Sequence, residues 1–491
     1  MSLDSSLLIG ASGLTAINQQ LALVGQNVAN ANTPGYVRES LPQQALTASG
    51  IGMGVVTGPA RRDLDTQMQA AVFAAQSQSS GAQTTSTALA AIDQVAGSTA
   101  SGNAIADTLG ALQDRLSALE ATPADQTAQR AAVQQAQTLA TATNQLAIAG
   151  ATQRQNAQSS LTSDVQSLNT ALRSIGTLSN QIIAAKALGQ STADLEQSRD
   201  QQINTATSLL GIQFVAQPNG DMQAISGSTV LPLHNATGPL QLASANLAPT
   251  TPATAIPPIT LGGVDVTAQL QGGTIGANLQ LRDQAMPQLQ AELDEFAHTL
   301  ATRFDAQGLR LFTDNTGTVP PGGGTPAQSG YVGMAQTLQV NPAILSNPRL
   351  VQQGTTGATP PPGDPTLLQN ALQYALGTDR APGTSQPPPA TTGLGLTGTL
   401  TARFSPPASL AAFATAIGAA QAQDTNAAQT AATTAAATAS TLQSKLAATD
   451  GVSMDTELSH MVALQNAYSA NARIVSAAQS MWTSLLAAVT P

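Results

Sequence analysis

The feature that most constrains this chain is an apolar stripe within its first thirty residues. Leu14, Ile17, Leu21, Val24 and Val28 alternate in steps of three and four, the a/d pattern of a helix that packs along a partner helix. The far end of the chain carries a second stripe in the same phase, with Asn471 as its one polar member. Its apolar members are Met461, Leu464, Tyr468, Val475, Ala478, Trp482, Leu485 and Val489. Because one such helix buries too little apolar surface to offset the ordering of its backbone, we expect the two ends to pack on each other and on neighbouring molecules.

Composition narrows the classes of partner. The 491 residues are 42% hydrophobic, but only 2% are aromatic, so the chain has little with which to line a large apolar pocket. The formal net charge of −10 argues against nucleic acid or an anionic membrane surface as a partner. We expect no membrane insertion, because no window approaches the roughly 20 apolar residues of a span, and the N-terminus lacks the basic region of a secretory signal. Cysteine is absent, which excludes disulfides and thiolate metal sites.

Motifs for catalysis or cofactor binding are weak. His234, His298 and His460 lie far apart, so they do not have the spacing of metal ligands. The run from Gly393 to Gly398 matches G-x-G-x-x-G, but it follows a Pro/Thr-rich loop and no acidic residue lies about 20 residues further on. Gly322-Gly323-Gly324 lacks the Lys-Ser/Thr of a phosphate-binding loop. We therefore expect no enzyme activity, no cofactor and no metal.

Periodicity predicts a mainly α fold with a β-containing middle. Apolar residues at 133–146 and at 161–182 predict two separate helices of a long antiparallel bundle. The predicted division is a terminal coiled-coil layer at 1–62 and 450–491; a helical bundle domain at 63–211, 275–312 and 408–449; a β-rich segment at 212–274; and a Pro/Gly-rich small irregular β domain or set of loops, in an outer position, at 313–407. The chain would thus leave an axis, build outward and return.

The first helix is followed by a distinctive turn. Asn30 and Asn32 tolerate left-handed backbone, and Thr33-Pro34-Gly35-Tyr36 suits a type II turn with proline and glycine at its centre. With Gly13-Leu14 before it, the run from Asn30 to Tyr36 resembles the signature shared by bacterial flagellar rod, hook and hook-associated axial proteins. The segments 451–457 and 465–473 resemble the matching C-terminal end of that superfamily.

The interior resembles one family more closely, flagellar hook-associated protein 1 (FlgK). The similarity lies in Arg199-Asp200, in the segments 210–212 and 219–221, in Gly272-Gly273 ahead of Leu281-Arg282-Asp283, in Arg303-Phe304-Asp305, and in the segment 347–350. The chain departs from the family around residues 64–68, where flanking aromatic residues are missing, and residues 313–400 match only loosely.

The resemblance implies a structural protein of flagellum assembly and motility. Such a protein would be secreted through the flagellar type III apparatus, assemble as a ring at the distal end of the hook and join hook to filament. Its neighbours would be the hook protein and hook-associated protein 3, and an export chaperone would hold the C-terminal helix before secretion. The two helical stripes would form the inner tube, and the turn would set how the chain leaves it.

Two alternatives remain open at this point. Another rod or hook axial subunit would be mainly β between residues 63 and 205. An axial protein with an enzymatic insertion would carry it in residues 313–400, although that stretch lacks His, Cys and acidic clusters.

Overall fold

The computed structural model describes residues 3–33, 35–48, 51–97, 104–234, 239–248, 250–251, 253–322, 329–357 and 360–489. Long helices hold most of these residues, and the strands are short and concentrated in the middle of the chain and after the first helix. The predicted class, mainly α with a β-containing middle, is confirmed. The helices are α1 Leu3–Asn30, α2 Thr66–Ala96, α3 Ile105–Ala121, α4 Gln126–Ala187, α5 Ala193–Leu209, α6 Gly273–Gln280, α7 Met286–Asp305, α8 Met334–Thr337, α9 Pro342–Ser346, α10 Leu350–Gln353, α11 Thr366–Asn370, α12 Leu410–Asp450 and α13 Met454–Val489.

The strands form small antiparallel sheets, none of which is a large β domain within the part of the chain that is described. β2 and β3 form a hairpin with a register shift after Leu46, β5–β6–β7 form a meander, and β8 joins the β9–β10 hairpin. β1 pairs with β4, β11 with β12 and β13 with β14. The strands are β1 Glu39–Ser40, β2 Gln43–Ala48, β3 Ile51–Thr57, β4 Arg61–Arg62, β5 Gln213–Ala216, β6 Met222–Ser226, β7 Thr229–Leu231, β8 Leu240–Gln241, β9 Thr260–Leu261, β10 Val264–Asp265, β11 Phe312–Thr313, β12 Gln339–Val340, β13 Asp379–Ala381 and β14 Thr384–Ser385.

The two helices predicted from residues 133–146 and 161–182 are one continuous helix, α4. The polar stretch between the two apolar stripes contains no proline, and its side chains hydrogen-bond an extended segment of the backbone. Gln155 Nε2 donates to the Ala245 carbonyl at 3.0 Å, and Gln158 Nε2 donates to the Ala243 carbonyl at 3.0 Å. The stretch lacks apolar periodicity because it contacts peptide groups here instead of side chains.

The chain divides into two compact units. Unit 1 contains residues 1–79, 166–239 and 435–491, and unit 2 contains residues 80–165 and 240–434. Three of the four boundaries fall inside α2, α4 and α12 and the fourth lies just before β8, so the units cut across the predicted helical bundle domain. The prediction assigned domains by type of secondary structure, whereas each unit combines long helices with short strands.

Unit 2 has a closed apolar core. Phe296 and Phe304 of α7 are fully buried, and the ring of Phe296 meets that of Phe413 edge to face with centroids 5.5 Å apart. The same core includes Met334, Ile344 and other apolar residues scattered between 331 and 376. The described part of residues 313–407 therefore belongs to unit 2, where its widely spaced apolar residues pack against the helices.

Helix α7 also carries three buried carboxylates that bind this Pro/Gly-rich segment. Glu292 accepts hydrogen bonds from the backbone and side chain of Arg403, including 2.6 Å from Nη2. Asp294 accepts the Gly333 and Ala335 N–H groups at 2.8 Å each, and Glu295 accepts the Ala390 N–H at 2.8 Å. The segment is thus held to α7 by side chain to backbone hydrogen bonds as well as by apolar contact.

Candidate assembly surface of the terminal helices

The two terminal helices, α1 and α13, lie antiparallel within unit 1. A Cβ atom placed on Gly10 would meet the Val475 side chain, and one placed on Gly13 would lie 3.1 Å from Asn471 Oδ1. At the other end, Asn27 of α1 donates to the Glu457 carboxylate at 3.4 Å. Position numbers rise along α1 as they fall along α13, so the first and last helices form one antiparallel pair.

The predicted stripe of α1 faces into unit 1. Ile17 and Val24 are 6% exposed, and Leu14, Leu21 and Val28 are half-buried. The hairpin packs on the same helix through Gly54, which has a φ of 129° and no room for a Cβ because Ser12 lies against it. The Val55 N–H donates to Ser12 Oγ at 3.2 Å and fixes the strand to the helix.

The predicted stripe of α13 is only partly covered. Met461, Leu464 and Val475 are half-buried. Tyr468 and Trp482 are each 41% exposed, and Leu485 is 56% exposed. Within one chain, these last three residues remain available for further contacts.

Apolar side chains of α13 outside the a/d positions are exposed as well, which the a/d pattern did not predict. Leu458, Val462, Ile474, Met481 and Leu486 are each roughly half exposed, between 47% and 57%. On α1, Leu8 is 55% exposed. The signal was present in the sequence as apolar residues outside the a/d positions, and such residues mark a helix that contacts more than one neighbour.

The turn after α1 has the predicted geometry where it is described. Gly35 has a φ of 76°, as the third residue of a type II turn requires, and the Tyr36 N–H donates to the Thr33 carbonyl at 3.1 Å. Asn30 Oδ1 accepts the Thr33 hydroxyl at 3.2 Å, and Asn32 is exposed. Pro34 lies outside the described residues.

A cluster of polar side chains lies just beyond this turn. We call it the polar joint: Asn27, Tyr36, Arg38, Asp63 and Glu457. Arg38 Nε donates to Glu457 Oε1 at 2.7 Å and its Nη1 donates to Asp63 Oδ2 at 2.9 Å. The Tyr36 hydroxyl donates to Asn27 Oδ1 at 3.0 Å. Glu457 is fully buried and Asn27 is 1% exposed, so these polar groups are satisfied inside the protein.

The electrostatics of the joint follow from this burial. The hydrogen bond to Glu457 raises the pKa of Arg38, which stays cationic. Burial, together with the nearby Glu39 carboxylate, raises the pKa of Tyr36 to about 12, so its hydroxyl stays protonated and donates. Sequence reasoning missed the joint, because Arg38 and Glu457 are 419 positions apart.

The expectation that no stretch is apolar enough to span a membrane is wrong for residues 4–30. This stretch is long and apolar enough to cross a membrane by length and composition alone, contrary to the expectation that no window approaches a span. One side of this helix packs on α13 and on the hairpin.

The other candidate motifs show no shared site. Among the described residues, no group of His, Asp and Glu side chains could hold a metal ion. His234 hydrogen-bonds Asp221 at 3.1 Å, and the ring of His298 stacks on Tyr331. In the glycine-rich run from 393 to 398, Leu394 forms an antiparallel bridge with Leu400, and the next helix begins only at Leu410.

Comparison with protein families gives three matches. The flagellar hook-associated protein FlgK helical domain matches residues 89–318. The flagella basal body rod protein family matches residues 7–36, and the flagellar basal body rod FlgEFG protein C-terminal family matches residues 448–488. The last two matches contain much of α1 and nearly all of α13.

Individual relatives of this chain bear names from the same family. Flagellar hook-associated protein 1 of Salmonella typhimurium is 26% identical over 308 residues, which are 60% of this chain and 55% of that protein. The Escherichia coli K12 protein of the same name is 25% identical over 324 residues, 63% of this chain and 58% of that protein. The chain thus spans just over half the length of these relatives. The flagellar hook junction protein FlgK from Burkholderia pseudomallei aligns with a TM-score of 0.41 and 29% identity, covering 51% of this chain and 45% of that one.

Proposed function

The chain belongs to the flagellar hook-associated protein FlgK family, and we propose from this premise that it is a structural subunit joining hook to filament. It would assemble at the distal end of the hook as a ring of copies, with no catalytic role. The hook protein and hook-associated protein 3 would be its axial neighbours.

The observation that carries the proposal is the incomplete burial of the terminal helix pair. Part of α13 packs on α1, while apolar side chains outside the a/d stripe and the stripe residues Tyr468, Trp482 and Leu485 present apolar surface to solvent. Monomeric proteins seldom expose this many large apolar side chains on one helix, and such exposure marks a contact with another protein. In a ring, neighbouring copies would cover it.

The same surface supports a proposal about export. We propose that the chain leaves the cell through the flagellar export apparatus and that a chaperone covers the exposed face of α13 before secretion. An apolar helix that is half exposed needs such a cover to remain unaggregated in the cell.

The two alternatives are less well supported. A rod or hook subunit would be mainly β between residues 63 and 205, whereas the described part of that range is dominated by α2, α3, α4 and α5. An enzymatic insertion in residues 313–400 would form a body of its own, whereas apolar residues of that stretch belong to the core of unit 2.

The test is deletion of the gene in its own bacterium, followed by electron microscopy. We expect hooks without filaments and flagellin lost to the medium. Filaments of normal number on the deletion strain would contradict the proposed function.

Complementation then tests the surface. Leu21→Asp places a charge on the half-buried stripe of α1, and we expect soluble protein but loss of most filament attachment. Leu188→Asp is the matched control, because Leu188 is 73% exposed in unit 1 and lies outside both terminal helices. Equal swimming by the two strains would exclude the α1 stripe from assembly.

A further inference from the structure

We infer that a cavity in unit 2 is a binding site for a small organic carboxylate, with the Arg154 guanidinium as the partner of its anionic group. The cavity lies between the middle of α4, the start of α7, the segment 247–256 and the glycine-rich residues 395–400. Its volume is about 170 Å³, and a cavity of about 150 Å³ is large enough to hold benzene. The inference goes beyond the proposed function and does not depend on it.

The first step is the shape of the helix beside the cavity. One turn of π-helix, Leu281–Ala285, lies between α6 and α7, and the Met286 N–H donates to the carbonyl of the first residue of this turn. Pro287 has no N–H, so neither Met286 nor Pro287 donates to the Arg282 carbonyl. Arg154 Nε of α4 donates to that carbonyl instead, at 3.0 Å. Single π-turns inside helices are frequent at functional sites, and this one holds a buried cation at the cavity.

The second step is the charge of that cation. Arg154 is 9% exposed, and its Nη1 donates to the Ala248 carbonyl at 3.4 Å. Asp283 also lines the cavity, but its two oxygens accept hydrogen bonds from Arg282 at 2.7 Å and 2.8 Å. Among the described residues, none forms an ion pair with Arg154 or accepts a hydrogen bond from its Nη2. Burial lowers the pKa of Arg154, and a buried guanidinium without a counter-ion is costly, so a bound carboxylate would offset that cost.

The third step is that the other acid at the cavity does not oppose an anion under mildly acidic conditions. Asp294 lines the cavity, and its carboxyl oxygens accept the Gly333 and Ala335 N–H groups at 2.8 Å each. Burial raises the pKa of Asp294 to about 7, so most of these side chains are protonated at pH 6. The Arg154 cation then lacks a counter-ion, and a single carboxylate supplies one.

The fourth step is the apolar remainder of the lining. Leu247 and Met286 line the cavity, and Leu396 and Leu400 of the glycine-rich run lie on one side of it. Gly395 has a φ of 77°, and a Cβ there would lie 2.7 Å from Leu400 Cδ1, so this cover requires a glycine. Apolar walls favour an anion that carries a hydrocarbon chain over a strongly hydrated inorganic anion.

The experiment measures binding to the purified full chain at pH 6 by isothermal titration calorimetry. Hexanoate is the probe, because it combines one carboxylate with a short apolar chain. We expect a Kd below about 1 mM, a reasonable affinity for a ligand of about eight non-hydrogen atoms. Three further probes separate its features: 1-hexanol lacks the charge, hexylammonium reverses it, and inorganic phosphate lacks the chain. We expect each of the three to bind at least tenfold more weakly.

Two variants locate the site. Arg154→Met removes the cation, and we expect hexanoate to bind at least tenfold more weakly. Because this variant also removes the donor to the Arg282 carbonyl, circular dichroism must show that it is folded. Ala151→Leu keeps every charged group and fills part of the cavity, so it should weaken hexanoate binding at least tenfold even if Arg154→Met does not fold. Ala131→Leu makes the same change at another half-buried position of α4, away from the cavity, and should leave the Kd within twofold.

Several results would overturn the inference. No binding of hexanoate would do so, as would an unchanged Kd in Ala151→Leu or in folded Arg154→Met. Binding of 1-hexanol within threefold of hexanoate would show an apolar cavity that does not select a carboxylate. Binding of phosphate within threefold would show a site for inorganic anions. None of these results bears on the proposed function, which the deletion strain tests separately.

Discussion

The core of unit 2 and the terminal helix pair of unit 1 are both helical, yet they meet water differently. Around α7, apolar rings and three carboxylates are fully or almost fully enclosed, and the Pro/Gly-rich segment covers them. Along α13, apolar side chains are half exposed from Leu458 to Leu486, and the fully buried polar group is Glu457 at its start. Unit 2 completes its core within one chain, whereas the terminal pair leaves part of its apolar surface for other molecules.

The substitution with the largest expected effect on stability lies in the core of unit 2. Phe296→Ala removes a fully buried ring that contacts Phe413, and we expect the free energy of unfolding to fall by about 3–5 kcal/mol. Leu464→Ala in α13 is the matched truncation at a half-buried site, and we expect a loss of about 1 kcal/mol or less in the free chain. Chemical denaturation measures both, and equal losses would remove the distinction between the two regions.

The comparison also explains which parts of the molecule could be predicted from its sequence. The bounds of α1 and the start of α13 after Ser453 follow local signals: an a/d stripe, a glycine turn and a capping serine. The polar joint has no local signal, because Asn27, Arg38 and Glu457 become neighbours only when the two ends of the chain meet. Residues 313–407 misled the prediction for a related reason, since their composition is that of loops while a few separated apolar residues place them in the core of unit 2.

The next effect concerns Asp294, the fully buried carboxylate of α7. Burial raises its pKa from 3.8 to about 7, against the opposing effect of the Gly333 and Ala335 N–H groups and the Gln290 amide. Between pH 4 and pH 7, the folded chain therefore retains a proton that the unfolded chain has released. The contribution of Asp294 to stability is present at low pH and is lost as the pH rises through about 7, by roughly 4 kcal/mol at most.

Denaturation at a series of pH values checks this sign. Asp294→Asn cannot titrate, so the natural chain should lose stability relative to this variant as the pH rises from 4 to 7, and the difference should become constant above pH 8. The neighbouring Glu292, Glu295 and His298 are common to both chains and are subtracted. A relative gain in stability over the same interval would show that the hydrogen bonds to the Asp294 carboxylate outweigh its burial. The core of unit 2 would then resemble the polar joint, where hydrogen-bond donors surround a buried carboxylate.

The smallest effect on the free chain, and the most informative about assembly, is expected on the outer face of α13. Leu458→Ser/Val462→Ser replaces two exposed side chains, so the free energy of unfolding should change by no more than about 0.5 kcal/mol. Val264→Ser in strand β10 of unit 2 is the matched control, since Val264 is 67% exposed and is outside the terminal pair.

If neighbouring copies cover α13, the double variant should lose most filament attachment in the complementation assay while the control keeps it. The free energy of unfolding and filament attachment should respond differently. A side chain that adds nothing to the stability of one chain can become fully buried between copies in a ring. Normal attachment by the double variant would assign the contact between copies to the exposed part of the a/d stripe, where Tyr468, Trp482 and Leu485 lie, and would leave Leu458 and Val462 facing solvent in the ring.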